Sequence, residues 1–235
     1  MIRVILFDLD GTLLPMNQDL FIKTYFGAIA KKMALHGYEP NELVKSIWHA
    51  TGAMIENDGE KTNEARFWDV FEGIYGDMAR ADEKHLDEFY EKNFDSISAV
   101  CGHTPEARKI IDKIKKNGYR VALATNPVFP KAATKKRIGW AGLTPEDFEL
   151  ITTYENSRHC KPNLDYYRDI LSTLGVSAEE CVMVGNDVSE DMIASTLGIK
   201  VFLLTDCLIN KDGVDISAYP NGSFAELSRF IDELS

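Results

Sequence analysis

The sequence predicts an α/β fold: a doubly wound parallel sheet with an all-helical domain inserted after its first strand. Three observations predict it. Short, near-continuously apolar runs recur along the 235-residue chain, as expected for strands covered on both faces of a parallel sheet. Stretches with helix start and stop signals separate most of these runs. One long segment, 15–100, carries only the helical pattern and interrupts the alternation directly after the first run.

Taken in order, "RVILFDL" (3–9) reads as the first strand. The N-terminus is apolar but short, runs straight into acids and lacks a small-residue cleavage site, so it is read as core and not as a signal peptide. Helices follow over 17–37, 40–54, 62–78 and 82–97, with no convincing strand among them, which suits an αα-hairpin cap. The polar loop "ENDGEKTN" (56–63) separates two of them, and "TLLP" (12–15) and "AVCGH" (99–103) are the expected hinges. The segment 104–118 has Thr104 to cap a helix, Pro105 at its first position and Gly118 to stop it. Strands are predicted at 119–125, 148–153, 181–185 and 200–205, of which "FELITT" (148–153) is the least apolar. Helices are predicted at 161–175 and, beginning on Ser189, at 189–198. The expected division is a catalytic core of 1–14 and 101–235 and a cap of 15–100.

Composition narrows the partners. Hydrophobic residues at 45% and charged residues at 27% are ordinary for a soluble globular protein, and no apolar run reaches the ~18 residues of a membrane span. The net charge of −11 disfavours nucleic acid and anionic membrane surfaces. Segment 15–100 alone carries 9 Lys and Arg against 16 Asp and Glu, so it offers no platform for a large polyanion, and an anionic substrate would need a local cation. Cys101, Cys160, Cys181 and Cys207 are scattered without a CxxC pair, the usage of reduced thiols in a cytoplasmic protein. The five histidines share no ligand spacing. Trp48, Phe67, Trp68 and Phe71 fall at helical spacing and are expected in the cap core.

The chemistry is expected where the strands end, because open parallel sheets bind ligands at their carboxyl edge. Asp8, Asp10, Gly11 and Thr12 follow the first strand; Thr125 and Asn126 follow the second; Asn186 and Asp187 follow "CVMVG", with Asp191 four residues on. Lys161 precedes Pro162 at a helix start. Asp8 and Asp10 point to one side of a strand, where two carboxylates repel each other and lose hydration unless a cation lies between them. Oxygen donors at this density suit Mg²⁺, with substrate phosphate completing its shell.

In their order along the chain, "DLDGT" (8–12), "ATN" (124–126), "KP" (161–162) and "GNDVSED" (185–191) resemble the four motifs of the haloacid dehalogenase superfamily, and the helical insertion resembles its C1-type cap on a Rossmannoid core. The resemblance implies a Mg²⁺-dependent phosphatase of a small phosphorylated metabolite, acting as monomer or homodimer. It makes Asp8 the nucleophile, Asp10 the general acid and base, Thr125 and Asn126 holders of phosphate oxygens, and Lys161 the bridge between Asp8 and the phosphate. Asp8 and Asp10 join Asn186 and Asp187 at the metal, and Asp191 orients Lys161. The family usually has an acid where Asn186 stands; either its amide oxygen ligates the metal or Asp187 does. The loop 56–63 would face the site. A phosphomutase would retain every motif. A phosphonatase would need a cap lysine such as Lys23, Lys31 or Lys32. A dehalogenase needs neither Asp10 nor the metal acids. A non-catalytic phospho-aspartate signalling protein would have these groups in another chain order.

Overall fold

A computed structural model of the chain describes residues 1–234. β1 (Val4–Phe7), β2 (Arg120–Leu123), β3 (Cys181–Gly185), β4 (Lys200–Leu204) and β5 (Asn221–Gly222) pair in parallel, in the order β2-β1-β3-β4-β5. Successive side chains of a strand alternate faces. Ile5, Phe7, Val121, Leu123, Val182 and Val184 therefore pack with α6 (Pro105–Lys116) and α9 (Phe224–Asp232). Val4, Leu6, Ala122 and Met183 pack with α8 (Leu164–Leu174) on the other face. Both faces are covered, which is why the strands read as unbroken apolar runs. Thr104 caps α6 by accepting from the Glu106 N–H, and Asn163 caps α8 by accepting from the Asp165 N–H.

Between β1 and β2 come α1 (Gln18–Ala34), α2 (Pro40–Ile55), α3 (Asn63–Tyr75), α4 (Asp77–Ala81) and α5 (Glu83–Glu88). They enclose an apolar cluster of their own, including Phe21, Tyr25, Leu43, Ile47, Trp68 and Phe71. It touches the rest of the chain through Phe129, Ala133 and Trp140. The two connections run side by side: Met16 and Cys101 form an antiparallel bridge, and the Gly102 N–H donates to the Pro15 carbonyl at 2.7 Å. A Cβ at Gly102 would sit 3.2 Å from that carbonyl oxygen.

Several elements depart from expectation. Segment 148–153 is an extended edge beside β2 and not a strand of the sheet. Glu149, Leu123 and Thr152 N–H groups bond across to β2 or back from it, but only Leu123 and Ile151 make a bridge. The expected helix at 189–198 is a short 3₁₀ turn, Met192–Leu197, because residues 187–190 are held in a turn by the Asp187 carboxylate. The expected helix at 82–97 breaks into α5, a π turn (Phe89–Asn93) and a 3₁₀ segment (Phe94–Val100). α7 (Lys131–Trp140) was masked by its lysines, since only Ala133, Thr134, Arg137 and Ile138 are buried. α9 and β5 were likewise not anticipated. Among the described residues no helix is long and apolar enough to cross a membrane.

Candidate active site

The loops after β1, β2 and β3 bring the expected residues to one edge of the sheet, because these three strands are adjacent and parallel. Asp8 follows β1 directly; its N–H donates to Val184 of β3 at 2.9 Å, so the backbone stays in the sheet while the side chain leaves it. The Asp8 carboxylate is buried and accepts from Lys161 Nζ on Oδ1 at 3.0 Å. Lys161 is 1% exposed and also donates to Asp191 Oδ1 at 2.6 Å. Asp191 Oδ2 in turn accepts from the Asp187 N–H at 3.0 Å. The order Asp8–Lys161–Asp191 leaves the ammonium no freedom to turn away, and Gly185 permits it, since a Cβ there would collide with the Asp191 carboxylate.

Asn186 fills the other side of Asp8. Its Oδ1 accepts from Thr12 Oγ1 at 2.9 Å and its Nδ2 donates to the Cys207 carbonyl at 2.7 Å. The amide is thereby oriented, with its oxygen on Thr12 and its nitrogen on Cys207. Thr12 also lies 3.3 Å from Asp8 Oδ2; a hydroxyl has one proton to give, so it serves one acceptor at a time. Asp187 lines the same cavity, but its Oδ1 accepts from the N–H groups of Ser189 and Glu190 and from Ser189 Oγ. Thr125 and Asn126 line the cavity opposite. Asn126 Oδ1 accepts from the Lys161 N–H at 3.2 Å, which ties the loop after β2 to the segment that leads into α8.

Two residues of the site were missed by the sequence reading. Arg137 of α7, 1% exposed, pairs with Asp10 Oδ2 and lies over the Phe129 ring at 4.5 Å. It lies on the buried stripe of α7 with Ala133, Thr134 and Ile138, where an arginine is out of keeping. Glu190 accepts from Asn126 Nδ2 at 3.1 Å; burial pushes it up to about 7, against the pull of Lys161. Of the four aromatic residues, Trp68 and Phe71 lie in the cap core with Phe67 packed against it, as expected; Trp48 is half exposed and lines the cavity instead, and Phe67 and Trp68 also show one side to it. None of 56–63 lines it. Lys61 pairs with Asp69 at the surface, and Asn57 holds Asn63 Oδ1 at 2.8 Å. Lys23, Lys31 and Lys32 do not line it either; Lys32 is paired with Glu88.

The electrostatics describe a site short of positive charge. Burial is the largest influence on Asp8 and on Asp10 and pushes both up, ahead of the opposing pulls of Lys161 and Arg137. Asp191 is pushed up by burial to about 6, again against Lys161. Burial disfavours the Lys161 ammonium, but Asp191 and Asp8 outweigh it and hold its pKa well above the usual lysine value. Asp10 Oδ1 is buried without a hydrogen-bond partner among the described residues. Two carboxylates and an oriented amide oxygen fit a hard divalent cation such as Mg²⁺. No three His, Cys, Asp or Glu side chains among the described residues form a metal cage of their own.

A family model described as haloacid dehalogenase-like hydrolase matches residues 2–195. The chain belongs to the haloacid dehalogenase-like hydrolases. This family member is an enzyme on the same showing, and the α/β core with a helical insertion is the fold of its neighbours. It is 25% identical over 201 residues to the pyrophosphatase PpaX of Bacillus cereus, covering 85% of this chain and 81% of that protein. It is similar in fold to a HAD phosphatase from Thermococcus onnurineus, with a TM-score of 0.59, 19% identity and 98% of each chain covered. It is also similar to an L-2-haloacid dehalogenase, with a TM-score of 0.57, 14% identity and 98% and 99% of the two chains covered. One fold thus carries both phosphate and carbon–halogen chemistry, and the choice between them rests on the site.

Proposed function

We propose that this hydrolase is a Mg²⁺-dependent phosphatase that cleaves the monophosphate of a small molecule through a phospho-aspartate. The observation that carries this reading is Asp10, a second carboxylate in the cavity of Asp8 with its own buried cation, Arg137. Carbon–halogen cleavage through an aspartate ester has no use for it, since a halide leaves without a proton. An alkoxide leaving group needs one.

In the first step an Asp8 carboxylate oxygen attacks phosphorus, the bond from phosphorus to the ester oxygen breaks, and Asp10 gives its proton to that oxygen. In the second step Asp10 takes a proton from water, water attacks phosphorus, orthophosphate leaves and the Asp8 carboxylate is restored. Lys161, fixed between Asp8 and Asp191, supplies a point charge to the phosphoryl oxygens. Thr125 and Asn126 bind and orient those oxygens. Mg²⁺, held by Asp8 and Asn186 with Asp10 beside them, would neutralise phosphate charge so that a carboxylate can approach. Asn186 is proposed as the direct ligand because its oxygen and Asp8 Oδ2 meet at the same Thr12 hydroxyl, while Asp187 Oδ1 is committed to the loop. Residues 15–100 act as the cap over a core of 1–14 and 101–235, and four free cysteines support a cytoplasmic setting.

The test is release of orthophosphate from p-nitrophenyl phosphate, with Mg²⁺ and with EDTA, beside halide release from 2-chloropropionate. Metal-dependent phosphate release with no halide supports the reading; halide release, or phosphate release indifferent to EDTA, contradicts it.

A further inference from the structure

The cavity says more than that a monophosphate is cleaved. Resting on the phosphatase reading, we propose that the natural substrate class is a monophosphate whose leaving group is an aromatic ring system, seated in the cap. The cavity over Asp8 measures about 410 Å³, the size of a small-molecule site and more than a phosphate alone requires. Its cap wall is made by one stripe of α1, with Ile22, Tyr25 and Phe26, and by Trp48 and Ile55 of α2. Trp48 is 47% and Ile55 44% exposed although both line the cavity, so this apolar wall is open to a ligand and not filled by the cap's own packing.

The polar groups on that side are few: Gln18 at the start of α1, and Thr51 of α2, whose hydroxyl already donates to the Ile47 carbonyl. The Tyr25 and Tyr90 hydroxyls bond to each other at 2.8 Å and are already committed. Asp87 is the charged group the cap presents, and Lys211 the one cation lining the cavity among the described residues. Along the cap wall, away from Lys211, a second phosphate or a carboxylate would be desolvated against rings and an acid. A polyol could pair with Gln18 or Asp87 but would leave its other hydroxyls unpaired against the rings. A flat ring loses nothing. Phe26 and Trp48 lie 5.1 Å apart at 40°, and Tyr25 meets Phe129 at 5.2 Å edge to face. These spacings leave faces and edges for a further aromatic partner.

Binding of non-hydrolysable phosphonates tests this without the acidity of a leaving group entering. The full-length protein with Mg²⁺ is titrated calorimetrically with (1-naphthylmethyl)phosphonate, n-hexylphosphonate, 2-hydroxyethylphosphonate and phosphonoacetate. The naphthyl compound is expected to bind roughly 30-fold more tightly than the two polar ones and several-fold more tightly than the hexyl one. Trp48→Ala and Phe26→Ala should each weaken it about 10-fold, and Trp48→Phe should retain most of its affinity. Equal affinities for all four, tighter binding of phosphonoacetate, or no binding at all would overturn the proposal, and tighter binding of the hexyl compound would overturn its aromatic part. Turnover of p-nitrophenyl phosphate is read separately. If that fails while the naphthyl compound still binds preferentially, the phosphatase reading falls and the aromatic site stands.

Discussion

Asp8 and Asp10 sit two residues apart and have different surroundings, which assigns them different work. Asp8 is fixed by Lys161 and has nowhere to turn, as a nucleophile requires; Asp10 is paired with Arg137 and keeps one oxygen free. Asp8→Asn should abolish hydrolysis with the circular dichroism spectrum unchanged; activity above a few per cent would remove Asp8 as nucleophile. Asp10→Asn should spare the first step on p-nitrophenyl phosphate more than on an alkyl phosphate, and phospho-enzyme should accumulate because water is no longer activated. Arg137→Gln leaves the Asp10 carboxylate without its partner, so urea unfolding should show a loss of about 3 kcal/mol. The double variant with Asp10→Asn should lose less than the sum of the two. Asn186→Asp should tighten Mg²⁺ but weaken the metal-free protein by about 1–2 kcal/mol, because the new oxygen would face the Cys207 carbonyl in place of an N–H. A Mg²⁺ titration and a denaturation curve of that variant read both effects. Every site residue directly after a strand was legible in the sequence, because strand ends on a parallel sheet converge whatever else the chain does. Arg137 was not, because its partner is 127 residues away and only the tertiary fold puts α7 beside Asp10.

At the scale of elements, the loop 187–191 and the first turn of α3 hold the site together. Asp187 caps the turn that carries Glu190 and Asp191. Asn63, fully buried at the start of α3, donates to the Pro127 and His159 carbonyls, on the loops of Asn126 and Lys161. Asn63→Ala should cost about 1–3 kcal/mol in unfolding free energy, since it strands buried carbonyls, and should raise KM more than it lowers kcat. An unchanged KM would separate α3 from the site. Asp147 provides a pH test. Burial would raise it, but Arg108 and Lys115 outweigh that and hold it below the usual carboxylate range. Its contribution is therefore present above the unfolded value near 4 and lost as pH falls through the lower folded value. Asp147→Asn should flatten the decline of stability below about pH 4; a decline as steep as wild type would contradict that source. Strands and capped helices were legible from apolar runs and from Thr104, Pro105 and Gly118. Segment 189–198 was misread because Asp187, two residues upstream of Ser189, captures the N–H groups that a helix starting there would present. The cavity wall was misread because Trp48 at helical spacing looks the same whether it faces a core or an empty cleft.

For the molecule as a whole, charge and cavity set opposing demands. The net charge of −11 repels a phosphate in the bulk, and the buried Lys161, with the metal, reverses the sign at the point of reaction. Raising ionic strength from about 0.01 to 0.15 M should therefore increase kcat/KM on an aryl phosphate, because screening weakens a repulsive encounter. A decrease would mean that local cations steer the approach. The cap contributes apolar surface and one acid, Asp87, but no cation to the cavity, so discrimination between substrates should follow the apolar character of the leaving group. All of this depends on phosphoryl transfer to one carboxylate at the edge of β1. Acid quenching of the enzyme during turnover of p-nitrophenyl phosphate, followed by peptide mass spectrometry, tests that most directly. One phosphoryl group on Asp8, more abundant in the Asp10→Asn variant and absent from Asp8→Asn, is the predicted result. A phosphoryl group on any other residue, or continued turnover with none trapped in Asp10→Asn, would contradict it.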